Sequence, residues 1–135
     1  MAKNFFSNKT DLGLLIIRIG LGLTFIFGHG LPKLMGGPEK WTHLGESMSV
    51  IGITFLPVFW GFCGGLGEAL GGLLLLLGLF FRPATLLICF VMLIAVLSGL
   101  KDGPDFYNWA WPAEVGIVMI GLFFSGSGKY ALRLR

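Results

Sequence analysis

The chain has 135 residues, of which 55% are hydrophobic and only 13% charged, with a formal net charge of +3 and a mean hydropathy of +0.84. Soluble domains average about 45–50% apolar residues, so the composition excludes a soluble fold and, with it, the nucleic-acid partner that a basic chain would otherwise suggest. The basic excess suits flanks facing anionic lipid, and the charges fall between apolar runs, which leaves room for one helical membrane domain over 1–135.

Residues 1–11 are polar and carry Lys3 and Lys9, and an apolar run then extends over 12–31. No small-x-small cleavage site follows it, and Gly28-His29-Gly30-Leu31-Pro32-Lys33 reads as a helix exit, so a retained first transmembrane helix is expected. Steps of four, three and four from Arg18 reach Gly22, Phe25 and His29, which puts Arg18 and His29 on one face at opposite depths.

The connection over 33–54 has internal order. Gly36-Gly37-Pro38 makes a turn and a helix start, after which Trp41, Leu44, Met48 and Ile51 recur at amphipathic spacing, with Lys40, His43 and Ser47 on other faces. Two readings of 38–52 stand: a short helix lying flat at the interface, or a lid over a pocket between the spans.

The second span, 56–81, holds Trp60-Gly61-Phe62-Cys63-Gly64-Gly65-Leu66-Gly67-Glu68-Ala69-Leu70-Gly71-Gly72 and then a run of leucines, and Phe81-Arg82-Pro83 is expected to end it. Glu68 falls near its middle, where a carboxylate costs several kcal/mol unless it is paired, protonated or hydrated. Gly61, Gly64, Gly65 and Gly72 share or border its face, so close packing and charge coincide on one stripe. The third span, 83–100, is uniformly apolar. Residues 101–111 then bring Phe106, Tyr107, Trp109 and Trp111 together in the manner of a headgroup belt. Pro112 opens a fourth span, 112–126, with Glu114 in its first turn offsetting the helix dipole. Cys63 and Cys89 lie in different runs and are expected as reduced, buried thiols.

Placing both termini in the cytoplasm sets Lys3, Lys9, Arg82, Lys129, Arg133 and Arg135 inside against Lys33, Lys40 and Lys101 outside. The expected fold is therefore all-α: an integral membrane four-helix bundle with a short amphipathic interfacial helix between the first and second spans.

With Arg18-Ile19-Gly20-Leu21-Gly22, Gly28-His29-Gly30-Leu31-Pro32-Lys33, and Glu68-Ala69-Leu70-Gly71-Gly72 through Gly78-Leu79-Phe80-Phe81-Arg82-Pro83-Ala84 in view, the chain resembles the DoxX family of small bacterial membrane proteins. The resemblance implies a four-helix bundle in the bacterial plasma membrane. It also implies an association with quinone-linked redox chemistry, since related proteins are tied to thiosulfate:quinone oxidoreductase, to quinone-responsive detoxification and to an oxidative-stress complex.

Arg18 and Glu68 are expected either as a structural ion pair between the first two helices or as the polar lining of a ligand cavity. His29 and Glu114 belong at the outer ends of their helices, as interfacial residues or as the proton-handling groups of a quinone pocket walled by Trp41 and Trp109. His29 and His43 share an outer level, which leaves a bis-histidine site open. No cysteine or carboxylate cluster completes a ligand spacing, and no metal is assigned.

Two functions follow. The first is a membrane subunit of a redox or detoxification system, binding a quinone or similar amphipathic compound with no covalently bound cofactor and drawing electrons from a soluble partner. The second is a non-catalytic membrane adaptor or chaperone whose charges only assemble the bundle. A transporter is weaker without repeat symmetry. The glycine-rich faces exceed what one internal contact uses, so a homodimer or larger oligomer is expected.

Overall fold

A computed structural model describes residues 9–132. Lys3, Arg133 and Arg135 lie outside the described residues. The described chain is helical with no strand: α1 is Thr10–Met35, α2 Gly37–Gly45, α3 Pro57–Leu77, α4 Phe81–Asp102 and α5 Ala110–Ser125. A 3-10 stretch, Glu46–Ile51, extends α2. Helices α1, α3 and α4 are long and apolar enough to cross a membrane. Helix α5 is equally apolar but has 16 residues, about 24 Å at the usual rise.

The helix ends differ from the sequence expectation for local reasons. Helix α1 does not stop near Leu31. It widens into π-type turns over Thr24–Gly30 immediately ahead of Pro32 and then continues to Met35. A regular ladder would meet the proline ring and miss its N–H, whereas the wider turns absorb both. Helix α3 ends at Leu77, where Gly78 takes a left-handed φ of 77° and donates its N–H to the Leu74 carbonyl at 2.8 Å. The Phe81-Arg82-Pro83 sequence therefore starts α4 instead of ending α3, since a proline in a first turn lacks only an N–H that would be unbonded anyway. Helix α5 begins at Ala110, so Glu114 lies beyond its first turn and the expected dipole role does not apply.

Helices α1 and α2 together run antiparallel along α3. Their seam is nearly side-chain free: a Cβ on Gly22 would stand 2.9 Å from the Gly72 carbonyl, one on Gly30 would meet the Ala69 backbone, and one on Gly61 or Gly45 would collide with the carbonyl of Trp41 or Pro57. Small residues let backbones approach this closely, which is how apolar helices gain packing when lipid removes the hydrophobic incentive to associate. On the other side of α3, α4 packs against it and carries α5 in turn. Phe25, Leu75, Ile88, Met92 and Met119 fill the interior. Ile16, Phe27 and Phe124 are 62%, 65% and 76% exposed, as befits side chains meant to meet acyl chains instead of water.

The 37–51 segment does not stand apart from the helices. It lies against the first turns of α3, with Ile51 exposed and Met48 turned inward. At the opposite end, residues after α5 fold back beneath α1 and α3: Leu132 donates its N–H to the Leu77 carbonyl at 2.9 Å, and Lys129 its N–H to Asp11 Oδ1 at 3.1 Å.

The seam makes a direct prediction. Gly61→Ala forces the α2 and α3 backbones apart and lowers unfolding stability by about 1–3 kcal/mol, the usual cost of overpacking. Gly20→Ala, which meets nothing within 4 Å, leaves stability unchanged or raises it by up to about 1 kcal/mol through helix propensity. Thermal or denaturant unfolding in detergent distinguishes the two.

Candidate functional site

Glu68 is 1% exposed on the face of α3 that meets α1. Its partner is Lys33, whose Nζ lies 2.7 Å from Oε1. Gly65 makes room for this cation, because a Cβ there would press on the Lys33 and Leu34 side chains. The second carboxylate oxygen, Oε2, is buried with no hydrogen-bond partner among the described residues.

Arg18 corrects the expected pairing. It is 1% exposed, but its guanidinium bonds to carbonyls: Nε to Leu75 at 3.1 Å, Nη2 to Leu76 at 2.9 Å and Nη1 to Ser127 at 3.2 Å. Leu75 and Leu76 belong to the last turn of α3, whose carbonyls have no partner within the helix and sit at its negative pole. The Arg18–Glu68 ion pair is not formed because the close seam sets Ala69 against Gly30, so Glu68 lies beside the far half of α1 while Arg18 lies beside the end of α3. The fork of donors on one arginine thus ties α1, α3 and the C-terminal segment together, a structural task that leaves it outside the cavity described below.

The π-type turns explain a second correction. Four residues on from Phe25 is His29, but a wide turn advances the facing position by one, so Gly30 meets α3 and His29 turns toward α5. His29 stacks on Trp111 with ring centroids 5.0 Å apart and planes within 9°, and Phe25 flanks it at 5.5 Å. Trp41 donates its Nε1 proton to the Lys33 carbonyl at 2.9 Å and packs on Phe62. Trp109 packs on Phe106, and Glu114 is exposed without a partner among the described residues. Of the residues expected to bind a ligand, Glu68 lines a partly open cavity.

That cavity has a volume of about 290 Å³ and lies between α3, α4 and the 37–51 segment. Lys33, Trp60 and Glu68 supply its polar edge, and Leu87, Phe90 and Ile94 its apolar wall. Trp60 Nε1 is the second buried side-chain polar atom with no partner among the described residues. A larger, more polar hollow of about 560 Å³ adjoins it, lined by His43, Glu46, Lys101 and Asp102. Ser47 borders both, and its hydroxyl meets that of Ser98 at 3.5 Å. Cys63 lines the smaller cavity, and Cys89 packs beside the core; both are free and half-buried, not fully buried as expected.

Lys33 and Trp60 were not assigned roles by the sequence reading. Reading Pro32 as an exit placed Lys33 in a loop, although the apolar Leu34 and Met35 beyond it are the signal that the helix goes on. Trp60 carries no motif, and only the cavity shows that its N–H faces no acceptor.

Among known families, the model described as DoxX matches residues 13–100, from the second turn of α1 through most of α4, leaving α5 outside the match. Comparison with curated proteins and with solved structures gives no match.

The corrected pairing is testable by double-mutant cycles. Glu68→Gln combined with Lys33→Met departs from additivity by about 0.5–3 kcal/mol, as contacting groups do. Glu68→Gln combined with Arg18→Met adds within about 0.5 kcal/mol, as independent sites do. Unfolding free energies of the three single and two double variants decide between the pairings.

Proposed function

The chain belongs to the DoxX family, and from that premise we propose that it is the membrane subunit of a quinone-linked redox or detoxification system, holding a quinone-like or other amphipathic ring compound in the cavity between α3, α4 and the 37–51 segment. What carries the reading is the lining: an apolar wall around Lys33, Trp60 and Glu68, with buried polar atoms left without partners. Small-molecule sites combine an apolar wall with a few such oriented groups, and their volumes begin at about 300 Å³. A cavity of this size takes one ring, and an aliphatic tail leaves between the half-exposed apolar side chains of α3 and α4.

The 37–51 segment acts in this reading as a lid, supplying Leu44, Ser47 and Met48 to the cavity. The protein's residues bind and orient the ring and exclude water from it, while electrons come from a soluble partner. The topology that fits is four spans in a bacterial inner membrane, with α5 as the fourth and both termini cytoplasmic. In that orientation Lys9, Arg82 and Lys129 face inward, and Lys33, Lys40 and Lys101 lie toward the outer side. A homodimer or larger assembly covers the remaining apolar faces.

Cys63 provides the readout. In membranes, a short-chain ubiquinone slows alkylation of Cys63 by N-ethylmaleimide while alkylation of Cys89 keeps its rate. Gly64→Ala, whose methyl enters open space beside the same cavity, weakens that protection without lowering thermal stability. Unchanged Cys63 labelling across ubiquinone and menaquinone analogues, with no heat of binding, would overturn the reading and favour a non-catalytic adaptor.

A further inference from the structure

Among the described residues, two polar atoms at this cavity are buried and unpaired, and they are of opposite kinds. Trp60 Nε1 is a donor with no acceptor, and Glu68 Oε2 is an acceptor with no donor. Lys33 already occupies Oε1 at 2.7 Å, and no hydrogen bond takes its ammonium to Oε2. Ser47, the one hydroxyl on the lining, accepts from Ser98 Oγ at 3.5 Å and makes no bond to Oε2. Trp60 and Glu68 lie about two helical turns apart on α3, so one flat ligand lying along that helix can address both.

A quinone offers carbonyl oxygens, which accept and never donate. It can satisfy Trp60 but turns a lone pair toward a carboxylate oxygen that already lacks a proton donor. A hydroquinone or phenol presents hydroxyls that do both: one oxygen accepts from Trp60 Nε1, and an O–H donates to Oε2 in a charge-assisted bond, about twice as strong as a neutral one. Sites that leave a buried polar group unpaired discriminate strongly against the ligand that fails to pair it.

We infer that the cavity selects the hydroxyl-bearing, reduced form of its ring ligand, a quinol or phenol, over the corresponding quinone. This rests on the cavity being the ligand site proposed above, and it adds a redox preference that the site's shape alone would not impose. It also assigns Glu68 as the specificity-determining residue and Trp60 as a donor to either form, with Lys33 holding Oε1 so that Oε2 is the oxygen left for the ligand.

The test is calorimetric titration of the full chain in lipid nanodiscs, under anaerobic conditions, with short-chain ubiquinol and ubiquinone in separate arms. Ubiquinol binds about tenfold tighter or more, the scale of one buried unsatisfied polar group. Ring-matched hydroquinone and its dimethyl ether repeat the comparison without redox change, and the ether binds more weakly. Glu68→Gln keeps its carbonyl for Lys33 and turns an amide N–H₂ toward the ligand, which either form accepts, so the preference for ubiquinol is lost. Trp60→Phe weakens both forms and leaves the preference in place, which a merely structural role for Glu68 would not produce together with the loss of preference in Glu68→Gln. Equal affinities, or tighter binding of ubiquinone to the unaltered chain, overturn this inference while leaving the ligand site standing. Absence of binding by either form overturns both.

Discussion

The seam between α1 with α2 and the length of α3 is the constraint from which the other features follow. Along it the backbones approach until side chains no longer fit, from Gly22 and Gly72 at one end to Gly45 and Pro57 at the other. Such contact fixes register more rigidly than interdigitated leucines would, because a carbonyl cannot move aside as a flexible side chain can. Once that register is set, each charged group along α1 has its neighbours on α3 decided for it.

Its consequence is a division of the two buried charges between two tasks. Arg18 falls at the end of α3, where unbonded carbonyls of Leu75 and Leu76 await a donor, and its third bond reaches Ser127 to bring in the chain after α5. Glu68 falls beside the far half of α1, where Lys33 reaches it. A medium that cannot hydrate a polar group enforces both pairings. The difference is in what is left over: Arg18 donates from all three guanidinium nitrogens, while Glu68 keeps one oxygen without a partner beside a cavity.

Besides Lys33 of α1, the cavity owes its walls to three elements that the chain brings together from well-separated positions. Helix α3 contributes the polar edge through Trp60 and Glu68, α4 the apolar wall, and the 37–51 segment a cover with Ser47 at its margin. The adjoining polar hollow gives the cover a solvated side. The DoxX match spans all three elements and ends before α5.

Much of this was legible in the residues themselves. Apolar run lengths located the long helices, a mid-run carboxylate announced that Glu68 needs protection from lipid, and the glycine stripe announced close packing on its face. These are local properties, dictated by transfer energies and helical periodicity. The identity of Glu68's partner was not local. It depended on a one-residue advance through the π-type turns ahead of Pro32, which moves Gly30 onto the seam where His29 was expected, and on the helix continuing to Lys33. Nor does any motif mark Trp60 as an unpaired donor, since that is a statement about absent neighbours. Composition and spacing determined that this chain places polar groups in an apolar setting; only the packed structure decided which of them meet, because contacts between helices depend on register, and register accumulates every small departure from 3.6 residues per turn.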